Sequence, residues 1–200
     1  MRVYLDNCII DEWLKFQQSG VSLADYANDT TKKPIIIRDL EAFGEILDKR
    51  SDIFFYSLLS ELESSKHKKR LFDDLFSQDN FIRVPATGLR ACMLDQELPE
   101  DAALEIGECQ SYFAAHIRKF GPTDIKDRNK FMKYMRKKFF DPMHIDSAIN
   151  AGADIFLTID YKLLGSIGTD PNLKIFLADK IRVLTPSELI EQVATTHSIS

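Results

Sequence analysis

Short apolar runs that alternate with amphipathic segments are the feature that most restricts how this chain can fold. The runs are RVYLD at 2–6, DIFFYSLL at 52–59, FIRVPAT at 81–87, ADIFLTID at 153–160 and KIRVLT at 180–185. They are apolar along most of their length, which is typical of strands buried on both faces. The alternation therefore predicts an α/β fold with a central, mostly parallel sheet that helices cover on both sides.

The segments between these runs carry helix signals. Apolar residues recur at helical spacing after Pro34, and Ser60 with Glu63 has the spacing of a capping box. Asp141 is a candidate N-cap of a helix that Gly152 ends. The predicted helices cover 34–50, 60–76, 99–121, 141–151 and 186–193. Residues 20–33 read as a polar loop, and Asp160 is followed by a short helical turn and then a loop.

Length and composition favour one soluble domain over residues 1–200. A chain of 200 residues with 44% hydrophobic and 28% charged residues can bury one substantial core but is short for two. The N-terminal MRVYLDNCII lacks a signal-peptide pattern, and no stretch approaches the roughly 18 apolar residues of a membrane span. We therefore expect a cytoplasmic protein without a membrane partner.

The three cysteines predict neither a disulfide framework nor a zinc site. Cys8, Cys92 and Cys109 are odd in number, far apart and in no CxxC arrangement. We expect them to be small buried apolar groups.

Two basic blocks stand against an acidic total. The net charge of -5 argues against a dedicated nucleic-acid binder. However, residues 126–138 hold seven basic groups and one acid, and a second basic block, KHKKR, lies at 66–70. Such runs form either a solvated helix face or a phosphate-binding surface. The candidate substrate-binding residues are Lys66, Lys68, Lys69, Arg70, Arg136 and Lys137.

Four carboxylates are predicted to meet at the carboxyl edge of the sheet. Asp6 and Asp160 end the first and fourth strand runs, and ligands of such sheets bind beyond those ends. Asp141 begins the helix that leads into the Asp160 strand, and Glu63 lies in the first turn after the second strand. A connecting helix begins at the same edge. Each acid also has an ordinary role as a turn, N-cap or capping-box residue.

Such a cluster of acids is unfavourable unless a cation neutralises it. Oxygen ligands suit Mg²⁺ or Mn²⁺, which bind through few carboxylates together with substrate phosphate. The sequence therefore predicts metal-assisted hydrolysis of a phosphodiester. His144, one turn after Asp141, is a candidate phosphate contact, although a packed or hydrogen-bonded histidine is commoner. Asp146 is expected to face outward or to pair with a base.

The chain resembles the PIN domain ribonucleases. The resemblance lies in VYLDNC, YSLLSELESS, DPMHIDSAINAGADIFLTID and IRVLTPSELI, while residues 80–135 match only as helical filler. It implies a three-layer α/β/α fold and a Mg²⁺- or Mn²⁺-dependent endoribonuclease. Carried over by position, Asp6, Asp141 and Asp160 are metal ligands and catalytic residues, Thr158 orients them, and Asn7 contacts a water on the metal. Glu63 is the preferred fourth acid, with Glu61 as the alternative.

Many members of that family are toxins of toxin-antitoxin pairs. The resemblance therefore implies RNA as substrate, an antitoxin protein as candidate partner and a candidate homodimer. A different class of function is a catalytically silent module of the same fold that binds RNA or protein. A haloacid-dehalogenase-like phosphatase is disfavoured because Cys8 stands where its second aspartate would be, and a dinucleotide site is disfavoured because no GxGxxG follows the first strand.

Overall fold

One five-stranded parallel sheet forms the centre of the fold. The computed structural model describes residues 1–29, 34–49, 52–57, 60, 69–85, 141 and 143–197. Within these ranges the strands are β1 (Arg2–Leu5), β2 (Ile53–Ser57), β3 (Phe81–Val84), β4 (Ile155–Leu157) and β5 (Arg182–Leu184). Their order in the sheet is β3-β2-β1-β4-β5, and every neighbouring pair is parallel. The five predicted strands and their predominantly parallel arrangement are confirmed.

Helices connect and cover the strands. They are α1 (Asn7–Ser19), α2 (Leu23–Asp29), α3 (Pro34–Lys49), α4 (Lys69–Phe76), α5 (143–150), α6 (Tyr161–Thr169), α7 (Pro171–Ala178) and α8 (Pro186–His197). The predictions of α3, α5 and α8 are confirmed, as is the end of the helix predicted at 60–76. In the described part of the chain, no helix has the length and hydropathy to cross a membrane.

Three helices lie where the sequence analysis placed none. α1 was not predicted, α2 replaces much of the predicted loop at 20–33, and α7 replaces the predicted loop after Asp160. The signal for α2 is a capping box: the Ser22 hydroxyl accepts from the Asp25 amide at 3.1 Å and donates to the Asp25 carboxylate at 2.6 Å. The predicted helix at 99–121 lies outside the described residues, as do Cys92 and Cys109.

The sheet separates two apolar cores, which makes the fold a three-layer α/β/α arrangement. Successive strand side chains point to opposite faces. One face buries the side chains of Val3, Leu5, Phe54, Ile155 and Leu157 against α1, α3 and α8. The other buries Tyr4, Phe55 and Phe156 against α5 and α7. Burial on both faces explains why the strand sequences are apolar throughout.

Substitution of Gly152 tests how α5 is connected to β4. Its φ is +69°, a left-handed conformation that ends the helix, and an added Cβ would lie 3.0 Å from Arg2 Nη1. We expect Gly152→Ala to lower the free energy of unfolding by about 1–2 kcal/mol, the cost of a side chain in that conformation. Urea denaturation followed by circular dichroism measures it.

Gly165 provides the matched control, since it lies inside α6 and an added Cβ would meet nothing within 4 Å. Gly165→Ala is expected to raise the free energy of unfolding by about 0.5–1 kcal/mol. Equal effects of the two substitutions would contradict this account of Gly152.

Candidate functional site

The strand order reverses between β1 and β4. The chain proceeds from β1 to β2 and β3 on one side of the sheet, then continues with β4 and β5 on the other. Ligands of open parallel sheets bind beyond the carboxyl ends of strands at such a reversal. Leu5 pairs with Leu157 at the ends of β1 and β4, and the Asp6 amide extends this pairing to the Leu157 carbonyl at 3.0 Å. The residues that follow both strands are therefore placed side by side.

The side chains of Asp6, Cys8 and Thr158 meet there together with the backbone amide of Asp160, and we name these four residues the Asp6 cluster. The Thr158 hydroxyl donates to Asp6 Oδ2 at 2.6 Å and accepts from the Asp160 amide at 2.9 Å. The Cys8 thiol donates to the same Asp6 oxygen at 2.9 Å, and its sulfur lies 3.2 Å from Thr158 Oγ1. Thr158 thus links the Asp6 carboxylate to the backbone of Asp160, and its role in orienting metal ligands stays a prediction.

Both aspartates stand directly before helices, but their carboxylates are used differently. Asp6 precedes α1 and makes no side-chain cap; it is 6% exposed and turned toward Thr158 and Cys8. Asp160 caps α6, with Oδ1 accepting from the amides of Lys162 at 2.8 Å and Leu163 at 3.2 Å. A helix N-terminus stabilises nearby negative charge, and each of these acids lies directly before one.

Cys8 packs half-buried against the apolar core, as predicted, but its thiol also has a polar role that was not predicted. Burial raises the pKa of the Cys8 thiol, and the Asp6 carboxylate raises it further. The thiol therefore stays protonated at neutral pH and acts as a donor to Asp6. No sequence signal distinguished it, because its partners Asp6 and Thr158 meet only in the fold.

Among the described acidic candidates, Asp141 does not form a metal-binding group with Asp6 and Asp160. Asp141 is helical and exposed, so it is not the residue before the first turn that was predicted. Glu63 and its alternative Glu61 lie outside the described residues. Over the ranges that the structure covers, no three Asp, Glu, His or Cys side chains are grouped closely enough to hold a metal ion.

Asn7 and His144 were both candidate site residues. Asn7 directly follows Asp6 in the chain, and its Oδ1 is buried without a hydrogen-bond partner among the described residues. Its contact with a metal-bound water stays a prediction. His144 is 1% exposed and its Nδ1 is hydrogen-bonded to Tyr4 Oη at 2.8 Å. The candidate phosphate contact of His144 is therefore wrong, and the commoner role as a hydrogen-bonded core histidine is confirmed. Asp146 is buried, not outward-facing.

Most of the predicted basic surface lies outside the described residues. This applies to Lys66, Lys68, Arg136 and Lys137. Lys69 and Arg70 form the first turn of α4. Their assignment as substrate-binding residues stays a prediction.

A second polar cluster near this edge was missed by the sequence analysis. Asp39 of α3 is 0% exposed, and its Oδ1 accepts from the Ser187 hydroxyl at 2.5 Å and the Ser187 amide at 3.3 Å. Its Oδ2 accepts from the Tyr161 hydroxyl. Burial and the Asp39 carboxylate raise the pKa of Tyr161. Asp39 thus ties α3 to the starts of α6 and α8, and Tyr161 directly follows Asp160.

Comparisons of the chain with protein-family models, with curated proteins and with solved structures gave no significant match. The interpretation of the site therefore rests on its own geometry. That geometry connects the Asp6 carboxylate to the Asp160 backbone at the strand-order reversal.

Removing the Thr158 hydroxyl tests the link between the two acids. Thr158 is 0% exposed, so Thr158→Val leaves the part-buried Asp160 amide without this acceptor and leaves Asp6 Oδ2 with the Cys8 thiol but without the Thr158 hydroxyl as donor. We expect the free energy of unfolding to fall by roughly 2–3 kcal/mol, measured by urea denaturation. Thr158→Ser keeps the hydroxyl and should cost only about 1 kcal/mol for the lost methyl. A serine variant as unstable as the valine variant would argue against the link.

Cys8 reactivity tests the contact with Asp6. In a variant with Cys92 and Cys109 replaced by serine, we expect iodoacetamide at pH 8 to modify Cys8 at least about ten times more slowly than free cysteine, because only the thiolate reacts. Asp6→Asn removes one cause of the raised pKa and should accelerate the reaction. Mass spectrometry gives the rates. An unchanged rate in Asp6→Asn would show that the carboxylate does not act on the thiol.

Proposed function

We propose that the protein is a metal-dependent endoribonuclease of the PIN type that hydrolyses RNA phosphodiester bonds at the carboxyl edge of its sheet. One observation carries the proposal: Asp6 and Asp160, which follow neighbouring central strands, are joined through Thr158 where the strand order reverses. Acids in this location suit a divalent cation that binds together with a substrate phosphate. The sequence resemblance assigns the same three residues to such a site.

The oxygen atoms left over in the cluster suit Mg²⁺ or Mn²⁺. The hydrogen bonds of Asp6 use Oδ2 and those of the Asp160 carboxylate use Oδ1, so each retains one oxygen without a described partner. Asn7 Oδ1 is a further oxygen, buried and without a hydrogen-bond partner among the described residues. An oxygen-only set with few carboxylates is what these hard cations accept. Asp141 and Glu63 complete the proposed set of metal ligands.

The chain's own residues orient the acids. A bound cation supplies charge stabilisation for the phosphoryl oxygens during hydrolysis. Thr158 and Cys8 both hold Asp6 Oδ2, which fixes the direction of Oδ1. Asp160 is fixed by the two amides of α6, which orients its second oxygen. Such supporting hydrogen bonds keep ligating oxygens in place before the ligand arrives.

The resemblance also extends the proposal to biological context. On this basis the protein would be a cytoplasmic toxin that an antitoxin protein blocks, and its functional form would be a homodimer. A neighbouring reading frame that encodes a small partner, and co-purification of the two proteins, would support this part.

A catalytically silent module that binds RNA or protein is the second candidate. One observation favours it, the absence of a three-ligand metal group among the described residues. Such a module would bind RNA without cleaving it, and Mn²⁺ would not raise its thermal stability.

RNA cleavage distinguishes the two functions. We expect wild-type protein with Mn²⁺ to cleave single-stranded RNA, and Asp6→Asn or Asp160→Asn to reduce the rate at least about 100-fold, as loss of a group that stabilises transition-state charge does. Asp154→Asn is the matched control, because Asp154 lies before β4 at the opposite edge and pairs with Arg2 at 3.1 Å. Circular dichroism verifies that each variant is folded.

Cleavage that persists in Asp6→Asn, or that resists chelation, would contradict the proposal. RNA binding by wild type without cleavage under Mg²⁺ and Mn²⁺ would favour the silent module.

A further inference from the structure

We propose that the hydrogen bond between Tyr4 and His144 sets the position of α5 on the sheet, which makes both residues positioning residues for the acidic edge. This inference rests on the proposed function, because it concerns the placement of Asp141 relative to Asp6. It assigns a role to two buried polar side chains that touch neither substrate nor metal.

The pair is fully enclosed and held in one geometry. Tyr4 is 0% and His144 1% exposed, and Tyr4 Oη lies 2.8 Å from His144 Nδ1. The two rings meet edge to face, with centroids 5.9 Å apart. The opposite face of Tyr4 stacks on Phe156 of β4 at 5.6 Å, with an angle of 11° between the rings. The Tyr4 hydroxyl therefore has little freedom to follow a displaced partner.

The hydrogen bond joins β1, which Asp6 directly follows, to α5, which begins two residues after Asp141. Tyr4 lies in β1, two residues before Asp6, so its position fixes the end of that strand. His144 lies three residues after Asp141, about one turn along the helix. A shift of α5 along β1 by one turn would displace Asp141 by about 5.4 Å relative to Asp6. The Tyr4–His144 bond opposes that shift.

Apolar packing alone specifies this position weakly. α5 faces the sheet with Ile145 and Ala148, and contacts between apolar side chains have no preferred direction. A displaced helix would leave the Tyr4 hydroxyl and the His144 nitrogen buried without each other, which is costly in an apolar interior. Buried polar pairs that fix register in helical assemblies work in the same way.

The experiment compares Mn²⁺ binding with stability. Tyr4→Phe removes only the hydroxyl, His144→Leu removes the ring nitrogens, and His144→Asn keeps a polar atom near the place of Nδ1. Ile46→Val, in the core on the other face of the sheet, is the control for mild loss of stability. Isothermal titration of chelator-treated protein gives the Mn²⁺ dissociation constant, and RNA cleavage gives the Mn²⁺ concentration for half-maximal rate.

We expect Tyr4→Phe and His144→Leu to raise the Mn²⁺ dissociation constant and the Mn²⁺ concentration for half-maximal cleavage about tenfold. This is the usual effect of losing a group that supports metal ligands. His144→Asn should recover most of the affinity, and Ile46→Val should leave both values unchanged. If His144→Leu does not fold, the Mn²⁺ affinity of Tyr4→Phe alone tests the inference.

Two results would overturn the inference in distinguishable ways. Wild-type protein that binds and uses Mn²⁺, together with a Tyr4→Phe variant that is less stable but has unchanged Mn²⁺ values, would make the pair purely structural. Wild-type protein that neither binds Mn²⁺ nor cleaves RNA would remove the proposed function, and this role with it.

Discussion

The pairing of β1 with β4 is the constraint on which the rest of the structure depends. Val3, Tyr4 and Leu5 align with Ile155, Phe156 and Leu157, and the Asp6 amide continues the ladder. A shift by one residue would move every side chain of a strand to the opposite face. Because both faces are buried, only this register satisfies both cores. The same register places the Thr158 hydroxyl on the Asp6 carboxylate.

The buried acids at this end of the molecule are held by neutral donors. Asp6 accepts from a hydroxyl and a thiol, and Asp39 accepts from two hydroxyls and an amide. The ion pairs recorded in the described ranges involve neither Asp6, Asp39 nor Asp160. Hydrogen bonds from uncharged groups therefore satisfy Asp6 and Asp39.

The sequence predicted the features that depend on local pattern. The strands are recognisable because their apolar runs reflect burial on both faces, and the positions of Asp6 and Asp160 follow from where those runs end. α2 and α7 were not predicted, although α2 follows the Ser22 cap and α7 begins at Pro171. Both are strong local signals.

Contacts between distant residues could not be predicted in this way. The Cys8–Thr158 contact spans 150 positions, the Tyr4–His144 bond 140 and the Tyr161–Asp39 bond 122. Nothing in the local sequence of Asp39 or Cys8 indicates a partner so far along the chain. The polar contacts that orient the edge therefore emerge only when the sheet and its crossover helices are assembled.

The proposed function requires the carboxyl edge between β1 and β4 to bind a divalent cation. Electron paramagnetic resonance of Mn²⁺ measures this directly, because the signal of the free ion is lost when the ion binds. Wild-type protein should reduce the free-ion signal in proportion to its concentration, while Asp6→Asn and Asp160→Asn should not. Equal binding by wild type and both variants, or no binding by wild type, would contradict the account.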